Sequence, residues 1–359
     1  GRKGLKVVAG DCRKISIGFF SKYAYKKIVY PDPEENENKY IEVLYEFVKN
    51  NDVDLIIPIR DKCLIPLAKQ KDIFEKHTHI ICPNYKTVMV ARDKAKTISI
   101  ANEVGVPVPK TLIAKEKSDL KKTNQFPVLM KPAESSGSRG MRRCYSYGQL
   151  ERSYMKLRER YKKFLIQDLI PSDGEEVGFY CMYNRGKLET FTMHKRLRSY
   201  PPEGGPSTLR ITVYDKEVHQ YSKILLDVLK WHGPAMVQFK KDIRDNMYKL
   251  MEINPRFWGS LSLDILAGVD YPYYLYQMAK GEEITQNNYE RGVVSRWLLP
   301  GDLLWLTSNP KKNLINFIKT KADQYDVISK DDIMPIFGFI LSSITYFFSL
   351  KKLRYVFKR

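Results

Sequence analysis

Sulfur is scarce in this chain of 359 residues: the five cysteines, at 12, 63, 82, 144 and 181, are odd in number and form no Cys-x-x-Cys pair. That pattern excludes a disulfide framework and a structural zinc site, and it makes a reducing cytoplasm the expected home. No secretory leader is expected either, because the opening Gly1-Arg2-Lys3-Gly4-Leu5-Lys6 has neither an apolar core nor a cleavage site. Acidic residues are in deficit, 41 against 61 Lys and Arg, for a formal charge of +20. Such an excess attracts anions. The basic residues are scattered, however, with no arginine-rich tract and no nucleic-acid motif, so no specific nucleic-acid partner is expected. No serine or cysteine with an adjacent base stands out, which argues against a covalent-enzyme mechanism. A Walker A loop is also lacking, since no Gly-Lys-Ser/Thr occurs after a glycine-rich turn.

Hydrophobic residues make up 43% of the chain, enough at this length for two or three packed units. Leu5 to Ala9, Lys27 to Tyr30, Val53 to Pro58 and His79 to Pro83 read as short strands separated by helical patterns. Lys39 to Asn50 is the clearest helix, with Ile41, Leu44, Tyr45 and Val48 on one stripe. Strand and helix in alternation imply a mostly parallel α/β lobe. Arg92 to Val104 reads as one further helix ending at Gly105, with Lys94 in its first turn. Lys223 to Leu229 and Leu261 to Ala267 read as core helices.

The richest segment is Met236-Val-Gln-Phe-Lys240, a polar turn with Asp242, Arg244, Asp245 and Asn246, then Lys249-Leu-Met-Glu-Ile-Asn-Pro-Arg-Phe-Trp258. Alternate strand residues share a face, so Glu252 and Asn254 stand together as oxygen ligands and the turn brings Gln238 beside them. Mg²⁺ suits this set, with Mn²⁺ as a substitute, because it needs only one or two carboxylates when a substrate brings phosphate oxygens. Arg256 would project from the same edge toward charge developing on a transferred phosphate. The competing interpretation is a half-buried hairpin with a polar end.

Upstream, Phe126-Pro-Val-Leu-Met-Lys131-Pro is an apolar strand ending in a lysine. The flexible run Ala133-Glu-Ser-Ser-Gly-Ser-Arg-Gly140 follows it. Ser135, Ser136, Gly137, Ser138 and Gly140 would let backbone N–H groups approach a phosphate, with Lys131 adding a point charge. Taken alone, the loop reads equally well as a solvated turn. His194, Arg196 and Arg198 alternate on a strand, and Ser207 and Thr208 follow the Pro201 to Pro206 turn. A cationic edge left open by that turn suits a carboxylate, an acyl phosphate or the leaving phosphate.

Together these segments, in this order from Lys3 to Glu283, resemble the ATP-grasp superfamily. The similarity is greatest to carbamoyl-phosphate-synthetase-like carboxylate-amine ligases and the predicted ATP-dependent carboligases among them. His194 to Thr208, Trp231-His-Gly and Asn254 to Ser260 carry that closer likeness. The resemblance implies an α/β and α+β fold with ATP between two lobes. Lys94 and Lys131 would reach phosphates, and Phe164 to Ile170 would be the hinge meeting adenine through the backbone of Gln167, Asp168 and Leu169. Glu176 would take the ribose, with Glu175 the competing candidate. Gln238, Glu252 and Asn254 would be metal ligands, Arg256, Lys131 and Arg196 catalytic, and His194, Arg196, Arg198, Ser207 and Thr208 substrate contacts. Most relatives carry glutamate where this chain has Gln238, though carbamoyl phosphate synthetase has glutamine.

The implied units are a Rossmann-like lobe at 1–91, expected to lack its first strand, ATP-grasp subdomains at 92–165 and 166–285, and an extension at 286–359. The implied activity is amide-type C–N bond formation between a small-molecule carboxylate and an amine through an acyl phosphate, using ATP. A catalytically silent, membrane-associated ATP-binding assembly protein is the alternative, and a homodimer is compatible with either. Biotin-carboxylase-like chemistry finds no biotin carrier in the C-terminal region. From Ile333 to Leu350 eighteen residues carry no charge, which meets the threshold for a membrane span. Pro335 and the small, polar stripe Gly338, Ser342, Thr345 and Ser349 opposite Ile340, Ile344 and Phe347 argue for a helix docked on the protein or lying at a bilayer surface. The basic tail 351–359 would favour anionic lipid.

Overall fold

Alternation of apolar and polar residues sorts the chain into three sheets. The computed structural model describes residues 1–347 apart from 136, 138, 203, 286 and 287, and leaves the side chains of 345–347 undescribed.

In the N-terminal lobe, β1 (Val7–Asp11) and β2 (Ala24–Val29) pair in parallel. The two further strands expected at 53–58 and 79–83 shrink to a single parallel bridge, Leu55 to His79. Pro58 and Pro83 close each segment and remove the N–H groups a longer ladder would need. The helix Glu37–Lys49 forms as expected, capped by the Asn36 side chain on the Lys39 N–H at 2.9 Å, and it buries Tyr40, Leu44 and Val48. The helix expected over 92–104 forms as Lys94–Glu103, and Arg92 instead ends a preceding helix, Tyr85–Arg92. Asp93 breaks them: its extended backbone makes it a cap, its carboxylate accepts from the Ala95 N–H at 3.0 Å, and it holds Lys163 at 2.5 Å. Gly105, at φ +73°, follows the second helix, where a left-handed residue ends a helical run cheaply.

The second sheet comprises β3 (Thr111–Ala114), β4 (Val128–Pro132), β5 (Arg142–Cys144) and β6 (Phe164–Asp168), in the order β3-β6-β4-β5. The expected boundary at 165/166 falls inside β6, which is bonded to β3 on one side and β4 on the other. This unit therefore reaches Asp168.

The third sheet holds β7 (Glu176–Asn184), β8 (Lys187–Ser199), β9 (Ser207–Thr212), β10 (Gly233–Asp242), β11 (Met247–Asn254), β12 (Val294–Arg296) and β13 (Gln324–Tyr325). Its order is β11-β10-β7-β8-β9-β12-β13, so residues beyond 285 complete this sheet instead of forming a separate extension. One face, with Phe179, Cys181, Met193, Val237, Phe239, Leu250 and Ile253, packs on Val218, Leu225 and Leu226 of the helix Lys216–Val228. The opposite face carries Glu176, His194, Arg196, Gln238 and Glu252.

A buried carboxylate helps tie the C-terminal segment to the third sheet. Asp302 accepts from Arg198 at 3.1 Å, Arg296 at 2.6 Å and Thr208 at 3.0 Å, and it is inaccessible to solvent. The last helix, Met334–Phe347, sets Gly338 against Phe20 and Ile17, where a Cβ would come within 2.6 Å of the Phe20 ring. Gly338 therefore lies on the docked side, while Met334, Phe337, Ile340 and Ile344 stay exposed. No described helix is long and apolar enough to cross a membrane; the tail 348–359 lies outside the described residues.

Removing the Asp302 carboxylate leaves two buried guanidinium groups unpaired. Asp302→Ala is expected to cost roughly 3 kcal/mol or more, read as a lowered urea midpoint. A midpoint equal to wild type would show that this node does not hold the segment.

Candidate functional site

Alternation alone would not place Glu252 in the cleft. In β10 and β11, Gln238 faces Glu252 but Phe239 faces Leu250, so Met251 is an extra residue in a β-bulge. The bulge shifts the phase of the strand. Leu250 and Ile253 can then both face the core, while Glu252 and Asn254 face the cleft. The Met251 carbonyl is turned to lie 3.5 Å from the Lys131 ammonium.

The carboxylate of Glu252 is the centre of a polar ribbon. Asn254 Nδ2 donates to its Oε1 at 3.0 Å, and the Gln238 amide nitrogen lies 3.2 Å from the same oxygen. Lys94 Nζ stands 3.8 Å from Oε2 and also donates to the Ser135 carbonyl. On the other side, Gln238 accepts from Arg196 Nη2 at 3.1 Å, and Arg196 Nη1 is 2.6 Å from Glu176. Lys240 completes the ribbon 3.6 Å from Glu176. Arg256 bridges Asn254 Oδ1, at 3.4 Å, and Asp61 of the N-terminal lobe, at 2.6 Å. The cleft at this end is lined among others by Asp61, Leu64, Arg92, Lys94, Ser135 and Glu252.

The expected site residues thus divide. Lys94, Lys131, Ser135, Gln238, Glu252, Asn254 and Arg256 converge, and Arg196 and Glu176 join them along the sheet. Glu176 turns to this face, whereas Glu175 pairs with Lys195 and accepts from Tyr248 at 3.3 Å. Gly137 and Gly140 adopt left-handed φ of +62° and +75°, and a Cβ on Gly140 would approach Pro132 to 2.8 Å, so the loop needs glycine there. Ser136 and Ser138 lie outside the described residues.

Four of the expected substrate contacts have partners within the protein. A bulge between Arg196 and Arg198 ends the shared face. Arg198 leaves for Asp302, the Asn316 carbonyl at 2.9 Å and the Trp305 ring at 4.1 Å. His194 is buried against Asp264 at 2.7 Å and Ser260 at 3.2 Å. Thr208 is a ligand of Asp302, and Ser207 Oγ donates to the Leu209 carbonyl at 3.1 Å. The expected adenine contacts also need correction: the Asp168 and Leu169 N–H groups are already given to Lys110 and Pro127 carbonyls, and the Gln167 side chain is buried on Thr111. The next residue, Ile170, keeps a backbone N–H without a partner among the described residues.

Sequence reasoning missed Asp61, Lys163, Lys240 and Arg92. Lys240 was within reach, two residues after Gln238 on the same strand face. Asp61 gave no local signal, being 195 residues from the arginine it holds.

Lys131 is 4% exposed. Burial first, and the Lys94 charge second, pull its ammonium down from 10.5 to about 7, against the opposing pull of Glu252. Folding therefore disfavours the protonated lysine. The cost is full below about pH 7 and disappears as pH rises past the unfolded value of 10.5. Lys131→Met should be more stable than wild type by a few kcal/mol at about pH 6, and the gap should close toward about pH 10. Urea unfolding of both proteins across that range checks this; a constant gap would contradict it.

The comparisons with known proteins agree with this geometry. Residues 161–298 match a family described as an ATP-grasp in the biosynthetic pathway with Ter operon. A carbamoyl-phosphate synthase of Methanobrevibacter smithii is 28% identical over 143 residues, covering 38% of this chain and 37% of the relative. A D-aspartate ligase of Enterococcus faecium is 26% identical over 204 residues, covering 51% and 48%. The chain thus spans half or less of the length of these curated relatives. The crystal structure of N5-carboxyaminoimidazole synthetase from Staphylococcus aureus complexed with ADP superposes with a TM-score of 0.68 at 18% identity, covering 87% of this chain and 81% of that one. At that identity the likeness concerns the fold.

Proposed function

We propose that this chain, an ATP-grasp protein by fold and family match, is an ATP- and magnesium-dependent ligase that activates a carboxylate as an acyl phosphate and joins it to an amine. The observation that carries this reading is the meeting of Lys94, Lys131 and Ser135 with Glu252, Asn254 and Arg256 from a different sheet. Cations that exceed their carboxylate partners await an anion, and the lone carboxylate with two amides suits a cation that arrives carrying phosphate oxygens. Among the described residues no cluster of three or more His, Cys, Asp or Glu could hold a metal unaided.

Glu252, with the amide oxygens of Asn254 and Gln238, would hold magnesium. When bound, the ion neutralises phosphate charge. Lys94, Lys131 and the 133–140 loop would fix the phosphates, and Ile170 would offer its free N–H to adenine in place of Asp168 and Leu169. Glu176 would meet the ribose. A carboxylate oxygen of the acid attacks the terminal phosphorus, the bridging P–O bond breaks and ADP leaves. The amine nitrogen then attacks the acyl carbon, the C–O bond to phosphate breaks, and nitrogen loses a proton. Throughout, the protein positions groups and stabilises charge. Arg256, steered by Asp61, would meet charge on the transferring phosphoryl group, and Arg196 the acid or the leaving phosphate.

The single carboxylate in the metal set also favours a second reading, a silent ATP-binding assembly protein. The exposed stripe Met334, Phe337, Ile340 and Ile344 would give either protein peripheral contact with a membrane. Glu252→Gln separates the two readings: a ligase loses its chemical step, whereas a silent binder shows only weaker ATP binding.

With hydroxylamine as a general amine and a panel of carboxylates, Mg-ATP should give ADP and a hydroxamate. Arg256→Ala should lower that turnover by about a hundredfold. Tight ATP binding with no ADP across the panel would reject the ligase, and full activity of the variant would reject the role of Arg256.

A further inference from the structure

A surface helix ordinarily turns its apolar residues inward and its polar ones to water. The helix Pro310–Lys319 is built the other way round. Its buried residue is Asn313, whose Nδ2 donates to the Trp305 carbonyl at 2.9 Å. Leu314, Ile315 and Ile318 are 48%, 62% and 71% exposed. Spaced at i, i+1 and i+4, they form one stripe. The preceding helix, Leu303–Ser308, adds Leu303 and Leu304, which are exposed as well.

Polar contacts hold the helix Pro310–Lys319 in this orientation. Asn309 caps its start, accepting from the Lys312 N–H at 3.3 Å. Near its end the Asn316 carbonyl accepts from Arg198 at 2.9 Å and the Phe317 carbonyl from Arg296 at 3.0 Å. The Arg296 guanidinium also lies 4.2 Å from the centre of the Phe317 ring. Cations are favoured at a helix C-terminus, and both arginines are fixed in turn by Asp302. Turning the apolar stripe inward would break these bonds.

The charges beside the stripe indicate what covers it. Between Asp302 and Asp323 the sequence has no acidic residue, but it has Lys311, Lys312, Lys319 and Lys321. All four are exposed, and none has an ion-pair partner among the described residues. Two copies meeting face to face would set these lysines against one another, which opposes self-association through this face. A bilayer with anionic headgroups accommodates both features. Aliphatic side chains enter the headgroup boundary, while lysine stems lie along it and keep their ammonium groups among the phosphates.

We infer that the helices Leu303–Ser308 and Pro310–Lys319 form a docking surface for an anionic lipid bilayer. This goes beyond the ligase reading and does not depend on it, and it adds a second, charged surface to the contact offered by the last helix.

The test is sedimentation of the whole chain with vesicles of phosphatidylcholine alone or mixed with phosphatidylglycerol. The wild type should bind the mixed vesicles and bind phosphatidylcholine much more weakly. Ile315→Ser together with Ile318→Ser should weaken binding to the mixed vesicles about tenfold or more. Lys311→Gln, Lys312→Gln and Lys319→Gln together should weaken it by about as much and shrink the preference for the anionic lipid. These positions are exposed, so the urea midpoint of each variant should match that of the wild type. Phe337→Ser with Ile340→Ser removes the stripe of the last helix for comparison. If only that variant loses binding, the contact through the last helix stands and this inference falls. A wild type that ignores the mixed vesicles overturns it too. So does a wild type that dimerises without vesicles and is made monomeric by the isoleucine substitutions, since the stripe would then be covered by a second copy.

Discussion

Everything at the cleft depends on one irregularity, the extra residue at Met251. A regular strand would put Leu250 and Glu252 on the same face, and the chain would have to bury a carboxylate or expose a leucine. Burying the carboxylate in the helix-packed core would be costly without partners. The bulge removes the conflict. Leu250 and Ile253 complete the core, Glu252 and Asn254 face the cleft, and the freed Met251 carbonyl meets Lys131. One backbone feature therefore sets the core packing, the polar ribbon and the environment of a buried lysine.

The ribbon then ties together parts of the chain that share no local contact. Glu252 reaches Lys94 at the start of a helix whose cap, Asp93, is held by Lys163. Arg256 reaches Asp61 at the start of another helix. The N-terminal lobe and the two larger sheets are thereby referred to a single strand. Movement of either helix would break one of these two ion pairs.

Much of this was legible in the sequence because it is periodic. The pairing of Gln238 with Glu252 followed from alternation and from the turn at Asp242 to Asn246, the helix over 39–50 followed from its apolar stripe, and the Gly105 stop followed from residue type. The failures share a cause. Alternation assumes an unbroken ladder, and β8 breaks at Arg196, so His194, Arg196 and Arg198 have three different fates. Asp93 looked like the inside of one helix because a capping aspartate between two helices leaves the apolar period almost intact. Thr208 and Arg198 read as cleft residues, since nothing near them in sequence announces Asp302, 94 and 104 residues away. The arginine at 92, finally, read as the start of a helix and nothing more.

Charge balance distinguishes residues that hold the fold from those that await a ligand. Three buried carboxylates, Asp264, Asp302 and Asp326, are saturated: Asp264 by Trp258 at 2.7 Å, Thr192 and His194, Asp302 by two arginines and a threonine, and Asp326 by Arg210 and by Ser262 at 2.7 Å. Each carboxylate is met by donors from more than one element, as burial of a charge requires. At the cleft the sums do not close. Glu252 faces both Lys94 and Lys131, Glu176 is shared by Arg196 and Lys240, and Arg92 faces no carboxylate. The overall charge of +20 is too diffuse to say where an anion binds. The local excess is more specific, because cations are brought together beside few carboxylates at an energetic cost that an anion would relieve.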